Sequence, residues 1–115
     1  MKKKMLFIIL FVCFILSSVA YAHPPQSIQI VYDPSTKILT AIIEHNTNNP
    51  LKHYISKVDV RLNGNGIISQ YISRQDNENL QRVSYYVPDA KTGDRLSVEG
   101  ECSISGELKR EITVQ

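Results

Sequence analysis

Val58-Asp59-Val60-Arg61-Leu62-Asn63-Gly64-Asn65-Gly66-Ile67-Ile68-Ser69-Gln70-Tyr71-Ile72 is the stretch that decides the fold. Val58, Val60 and Leu62 alternate with charged residues, the two-residue period of a strand with one apolar face. Asn63-Gly64-Asn65-Gly66 then interrupts the run, and Asn and Gly are the residues that accept the positive φ a tight hairpin needs. Ile67 to Ile72 resumes as a fourth strand of the chain. The stretch therefore predicts a β-hairpin and excludes a helix across these positions.

Working outward, the same period recurs on both sides. Ile28, Ile30 and Tyr32 alternate in a first strand that stops at Asp33-Pro34-Ser35, where Pro lacks the N–H of a ladder residue. Residues 36–45 predict a second strand, with Leu39, Ala41, Ile43 and His45 on one face and Ile38 and Ile42 on the other. The polar run Asn46-Thr47-Asn48-Asn49-Pro50 reads as a loop. After the hairpin, Arg74 to Asn79 connects to a fifth strand at Val83, Tyr85 and Val87, and Pro88 to Gly93 forms the next loop. Leu96, Val98, Gly100 and Cys102 share one face of a sixth strand, and Leu108 to Val114 supplies a seventh after Ser105-Gly106. About seven short strands without helical periodicity predict an all-β, immunoglobulin-like β-sandwich, with Val58, Val60, Val98 and Ile112 in its core. The antibody-type Cys…Trp…Cys signature is absent, since the chain has no Trp.

The start of the chain obeys different rules. Lys2, Lys3 and Lys4 precede an apolar run from Met5 to Leu16, followed by Ser17, Ser18 and the small-residue pattern Ala20-Tyr21-Ala22. That is the build of a secretory signal peptide over residues 1–22, too short in its apolar part to span a bilayer, with cleavage expected after Ala22. Cys13 lies inside the apolar run behind Phe11-Val12, where a lipid attachment site needs small residues, and it is lost on cleavage. What remains, residues 23–115, carries 10 basic and 11 acidic side chains. A near-neutral domain of this length disfavours a nucleic-acid partner and excludes a multidomain enzyme. The expected location is periplasmic or secreted, with no stable membrane insertion after cleavage.

Four residues of the mature chain suit a soft or borderline metal: His23, His45, His53 and Cys102. His45 and His53 flank one polar loop, so a turn can bring both rings to one end of the sandwich. Each also has an ordinary reading, a solvated loop histidine or, for Cys102, a small core residue in phase with Leu96 and Val98. Cys102 is the single cysteine after cleavage, which excludes an intramolecular disulfide. Cleavage after Ala22 would make His23 the terminal residue and offer an α-amine and a ring nitrogen to one ion, a pair that suits Cu(II). Pro24 and Pro25 would stiffen this start and hold it clear of the sheet. Glu99, Glu101 and Glu107 cluster near Cys102 but read as a solvated strand face. No phosphate loop, nucleophile elbow, CxxC pair or HExxH is present, so no catalytic residue is assigned.

Lys52-His53-Tyr54-Ile55, Val58 to Gly64, Gly93-Asp94 and Cys102-Ser103-Ile104-Ser105-Gly106 follow one another in an order and spacing that resembles the ferrous-iron-binding domain of desulfoferrodoxin and neelaredoxin, the superoxide reductases. The resemblance runs from about His45 to Val114. It implies an immunoglobulin-like sandwich whose Fe(II) is held by four equatorial histidines and an axial cysteine. His53 matches the His of the Lys-His-Tyr-Ile segment, Cys102 the axial thiolate, and His45 the preceding His, eight positions before His53 where the family usually has six. Ser105 stands where the last motif has an iron-binding His, and the Glu-Lys-His loop that carries the first has no counterpart. Full superoxide reductase activity is therefore not expected.

The resemblance implies an exported, degenerate member of that family, with an iron(II) or other transition-metal site, copper and zinc being the alternatives, at His45, His53, Cys102 and His23. An inert remnant that holds no metal is the opposite expectation. The chain is also similar to the Z-type subunit of the periplasmic thiosulfate-oxidation carrier, through a His-Tyr-Ile, Asn-Gly, Gly-Asp progression. That similarity implies a metal-free, non-catalytic binding module with a protein partner in a periplasmic redox or sulfur pathway.

Overall fold

The computed structural model describes residues 23–115, and the expected signal peptide, residues 1–22, lies outside them. Seven strands follow in order: β1 Ser27–Asp33, β2 Ile38–Glu44, β3 Ile55–Leu62, β4 Asn65–Tyr71, β5 Leu80–Tyr86, β6 Arg95–Cys102 and β7 Glu107–Thr113. All pairings are antiparallel, in a three-stranded sheet ordered β1-β2-β5 and a four-stranded sheet ordered β4-β3-β6-β7. This is the all-β sandwich that the alternation predicts, with β4 attached to β3 rather than to β5.

Local chemistry accounts for the turns. The β3–β4 hairpin closes on two residues, Asn63 and Gly64, with φ of 51° and 83°, the positive pair that a type I′ turn requires. Asn65 and Gly66 already belong to β4, where Gly66 faces Arg61 and a register shift beyond Val60 absorbs the extra residue Ile67. Between β1 and β2, the Asp33 carboxylate accepts hydrogen bonds from the backbone N–H and hydroxyl of Ser35, and the Lys37 N–H donates to the Asp33 carbonyl at 2.7 Å. Lys37 takes φ 62°, so Thr36 and Lys37 belong to the turn and β2 begins at Ile38, two residues later than the composition indicates.

The inward faces interlock as the period-2 reading requires. Leu39, Ala41 and Ile43 of β2, Val58 and Val60 of β3, and Leu96 and Val98 of β6 have no exposed surface. Each buried Val, Leu or Ile contributes roughly 1.5–3 kcal/mol of hydrophobic stabilisation. Ile112 departs from expectation: it is only half-buried. It lies on β7, an edge strand whose inner face is covered on one flank only, and Val114 just beyond the strand is the buried residue there.

Candidate metal centre

The antiparallel registers place the ends of β2, β4 and β6 and the starts of β1, β3, β5 and β7 at one end of the sandwich. Three connections gather there, and long-range backbone hydrogen bonds fasten them. The His45 N–H donates to the Asn79 carbonyl at 2.9 Å, Thr47 N–H to Glu78 at 2.8 Å, and Gln75 N–H to Pro50 at 3.0 Å. Tyr54 and Ser103 join the other side: Ser103 N–H donates to the Tyr54 carbonyl and the Ser103 hydroxyl accepts from Tyr54 N–H. His45 continues the inward phase of Leu39, Ala41 and Ile43 by one more alternation past the end of β2, which is why an imidazole reaches full burial. His53 stands two residues before β3, on the opposite side of the same polar loop.

His23, His45 and His53 meet at this end. Their ring centroids are 4.7 Å apart for His45–His53, 4.8 Å for His23–His45 and 5.0 Å for His23–His53. One nitrogen from each ring lies within 4.8 Å of the others, so the three could hold one metal ion. The rings are steeply inclined, His45 and His53 at 89°, so the contact is not stacking. An open cleft of about 300 Å³, lined by His23, His53, Asn46, Thr47, Glu78 and Asn79, leads from solvent to the cluster.

A side chain that the sequence hides orients the deepest ring. Gln75 is fully buried, and its amide nitrogen donates to the carbonyls of His45 at 2.7 Å and Asn77 at 2.9 Å. Its Oε1 therefore faces the other way, accepting from Ile55 N–H at 3.2 Å and from His45 Nδ1 at 2.9 Å. Because this oxygen can only accept, the proton of the neutral His45 ring sits on Nδ1 and Nε2 presents a bare lone pair. The Nε2 atoms of both His45 and His53 are buried without a hydrogen-bond partner. A buried imidazole nitrogen left unpaired costs free energy, and a metal ion held by the cluster could satisfy both atoms. Burial pushes the His45 imidazole below its ordinary range, opposed by the Gln75 hydrogen bond, while the His23 charge lowers it and the His23 backbone raises it. Burial likewise lowers His53, followed by the charges of His45 and His23. Both rings are thus biased toward the neutral form that a metal needs.

The arm that delivers His23 is docked on the sheet rather than held clear of it. Pro25 is buried and packs near Gly100, Gln26 N–H donates to the Glu44 carbonyl at 2.8 Å, and Pro24 lies over Gly106. A Cβ at Gly106 would come within 2.9 Å of the Pro24 nitrogen, and Gly106 also has φ of 90°, so only glycine seats this arm. The prolines do stiffen the start, but their effect is to press His23 toward the other two rings.

Cys102 is buried at the end of β6, its N–H donating to the Gly106 carbonyl, and it stands outside the group of three imidazoles. It continues the inward phase of Leu96, Val98 and Gly100, the ordinary core reading of a lone cysteine. Ser105 is exposed beside Gly106. Glu101 and Glu107 are exposed partners across β6 and β7, as a solvated face requires. Gln75 sits in a charged stretch that reads as a connector, so no local pattern distinguishes it from a solvated residue. A five-coordinate iron centre of four imidazoles and a thiolate does not fit, because the chain has three histidines in all and the cysteine is not grouped with them. Neither the protein-family models nor the curated proteins searched contain a match to this chain.

Proposed function

We propose that this is an exported metal-binding β-sandwich domain in which His23, His45 and His53 hold a single transition-metal ion. The observation that carries the reading is that one nitrogen from each of three rings lies within 4.8 Å of the others beside a solvent cleft, while His45 and His53 each keep a buried Nε2 without a hydrogen-bond partner. Three neutral nitrogens suit copper or zinc, and copper stands at the top of the affinity order for such a donor set. The resemblance to the desulfoferrodoxin domain supports the fold and the choice of this end of the sandwich, while the donor set argues against superoxide reduction through a His4Cys iron. The ion would serve metal binding or delivery, or electron exchange with a periplasmic partner, and Cys102 would be a core residue.

Metal analysis of protein purified from its native compartment tests this, together with titrations by Cu(I), Zn(II) and Fe(II). The expected result is close to one equivalent of copper or zinc, lost in His53→Ala and retained in Cys102→Ser. Stoichiometric iron lost in Cys102→Ser would restore the desulfoferrodoxin site. Absence of any binding would favour the metal-free partner module.

A further inference from the structure

The residues on either side of His23 carry the site further. In a chain cut after Ala22, His23 would bear a free α-amine, one bond from the Cα whose side chain already stands in the cluster. The His23 ring centroid lies 4.8 Å from that of His45 and 5.0 Å from that of His53, so the amine would be attached beside the cluster. The next two residues are Pro24 and Pro25. A Cu(II) ion bound to a peptide amine ordinarily continues along the chain by displacing protons from the following amide nitrogens, and proline has no such proton. Backbone chelation from this terminus must therefore stop at the amine. The remaining positions have to be filled by other parts of the fold, and His45 Nε2 and His53 Nε2 are the two unpartnered nitrogens there.

We propose that signal-peptide cleavage completes the site: the mature protein binds one Cu(II) through four nitrogens, the His23 α-amine and Nδ1 together with the Nε2 atoms of His45 and His53. This deepens the three-imidazole reading and rests on it. His23 Nδ1 lies 3.1 Å from the Pro24 carbonyl oxygen, and chelation replaces that exposed contact. Pro24 on Gly106 and Pro25 near Gly100 hold the arm in place before the metal arrives, which reduces the ordering cost of binding. In the precursor the same nitrogen is an amide within a continuous chain and offers no lone pair to a metal. The uncut chain is left with imidazoles alone, and Cu(II) capture is tied to export.

The test uses protein exported from the full chain, its terminus verified by intact mass, with Cu(II) and Zn(II) as probes. A second sample is acetylated near pH 6.5, where the α-amine, with an ordinary pKa of roughly 7.7–8.0, reacts ahead of the lysines. Because the amine is tethered to a bound imidazole, its loss should weaken Cu(II) binding by about 10²–10⁴-fold. Zn(II), held by the imidazoles, should change far less, and the paramagnetic spectrum of the untreated Cu(II) form should show four equatorial nitrogens. His53→Ala, at a half-buried position, and His45→Ala should each weaken both ions, with circular dichroism confirming the fold. Cu(II) affinity within about twofold after acetylation, with His53→Ala still weakening it, overturns the amine ligand and leaves the imidazole site standing. Cu(II) lost on acetylation but unaffected by either His→Ala variant reduces the site to an isolated terminus and overturns both readings. A mass that retains Met1–Ala22 overturns the coupling to export.

Discussion

The two ends of this sandwich are made by different means. At the far end, Asp33 to Lys37 turns the chain through its own backbone angles and Asx hydrogen bonds, and Asn63-Gly64 through its positive φ pair, with the Asn63 side chain also hydrogen-bonded to Asp94 and Arg95. At the histidine end local turn bonds, such as Leu51 N–H to Asn49 Oδ1 and Asn79 N–H to Asn77 Oδ1, are joined by long-range partners: His45 is held by Gln75, Tyr54 by Ser103, and Pro24 by Gly106. A turn of the first kind can be altered with little effect elsewhere, whereas the histidine end shares each partner among several groups. The difference teaches where sensitivity lies, in shared partners more than in burial alone.

The largest expected effect therefore comes from Gln75. Gln75→Ala strands the Ile55 N–H, the His45 Nδ1–H and two carbonyls, and should cost about 3–5 kcal/mol in urea unfolding. Metal affinity should fall by roughly 10–100-fold in the same variant, since the His45 tautomer is no longer fixed. A cost below that of an ordinary core truncation would erase the distinction between the two ends. Val98→Ala supplies that reference: Val98 lies in mid-β6 with no exposed surface, and the change should cost about 1–3 kcal/mol while leaving metal affinity unaltered.

A matched pair of glycines sharpens the comparison. Gly64 and Gly106 have φ of 83° and 90°, but a Cβ at Gly64 meets nothing within 4 Å, whereas at Gly106 it meets Pro24. Gly64→Ala should cost about 1 kcal/mol through backbone strain alone. Gly106→Ala should cost about 1–3 kcal/mol and also weaken metal binding, because displacing Pro24 moves His23. Equal effects of both variants on metal affinity would break the link between the arm and the cluster.

The smallest effect is spectroscopic. Tyr85 bridges the sheets by donating to Gln70 Oε1 at 2.5 Å, and burial, followed by nearby Asp59, pushes its phenol up to about 12. Its neutral form is favoured by folding, so this contribution is intact below about pH 10, the unfolded value, and is lost as pH rises through about 12. An ultraviolet titration should show a late phenolate step that disappears in Tyr85→Phe. Metal should leave that step unchanged, because Tyr85 is not among the histidines or their partners.

How much could be read in advance follows the same division. Val58 to Ile72 announces its hairpin because strand period, turn and strand are contiguous, and β2 even places His45 on the inward face by counting. Two of the three rings were legible for that reason, since His45 and His53 flank one loop, and His23 was a candidate through its place after the expected cleavage. The remainder depended on partners far along the chain. Pro24 and Pro25 looked like a spacer and are a dock, because Gly106, more than eighty positions away, has room for Pro24 and Gly100 lies beside Pro25. Gln75 looked solvated because its hydrogen-bond partners are set by the topology rather than by its neighbours. Cys102 had two readings, core residue and ligand, and its phase with Val98 was the better guide to where it lies.

The long chain separations at the histidine end also bear on the order of events in time. Hairpins such as β1–β2 and β3–β4 close over a few residues, while the Gln75–His45 and Ser103–Tyr54 contacts span 30 and 49 positions. Contacts that close large loops form late, after the local hairpins and the central core have reduced the loop entropy. The cluster is then an end product of folding and not its nucleus. An ion bound there should leave the refolding rate nearly unchanged and lengthen the lifetime of the folded state, so its benefit would be persistence outside the cell rather than speed of assembly.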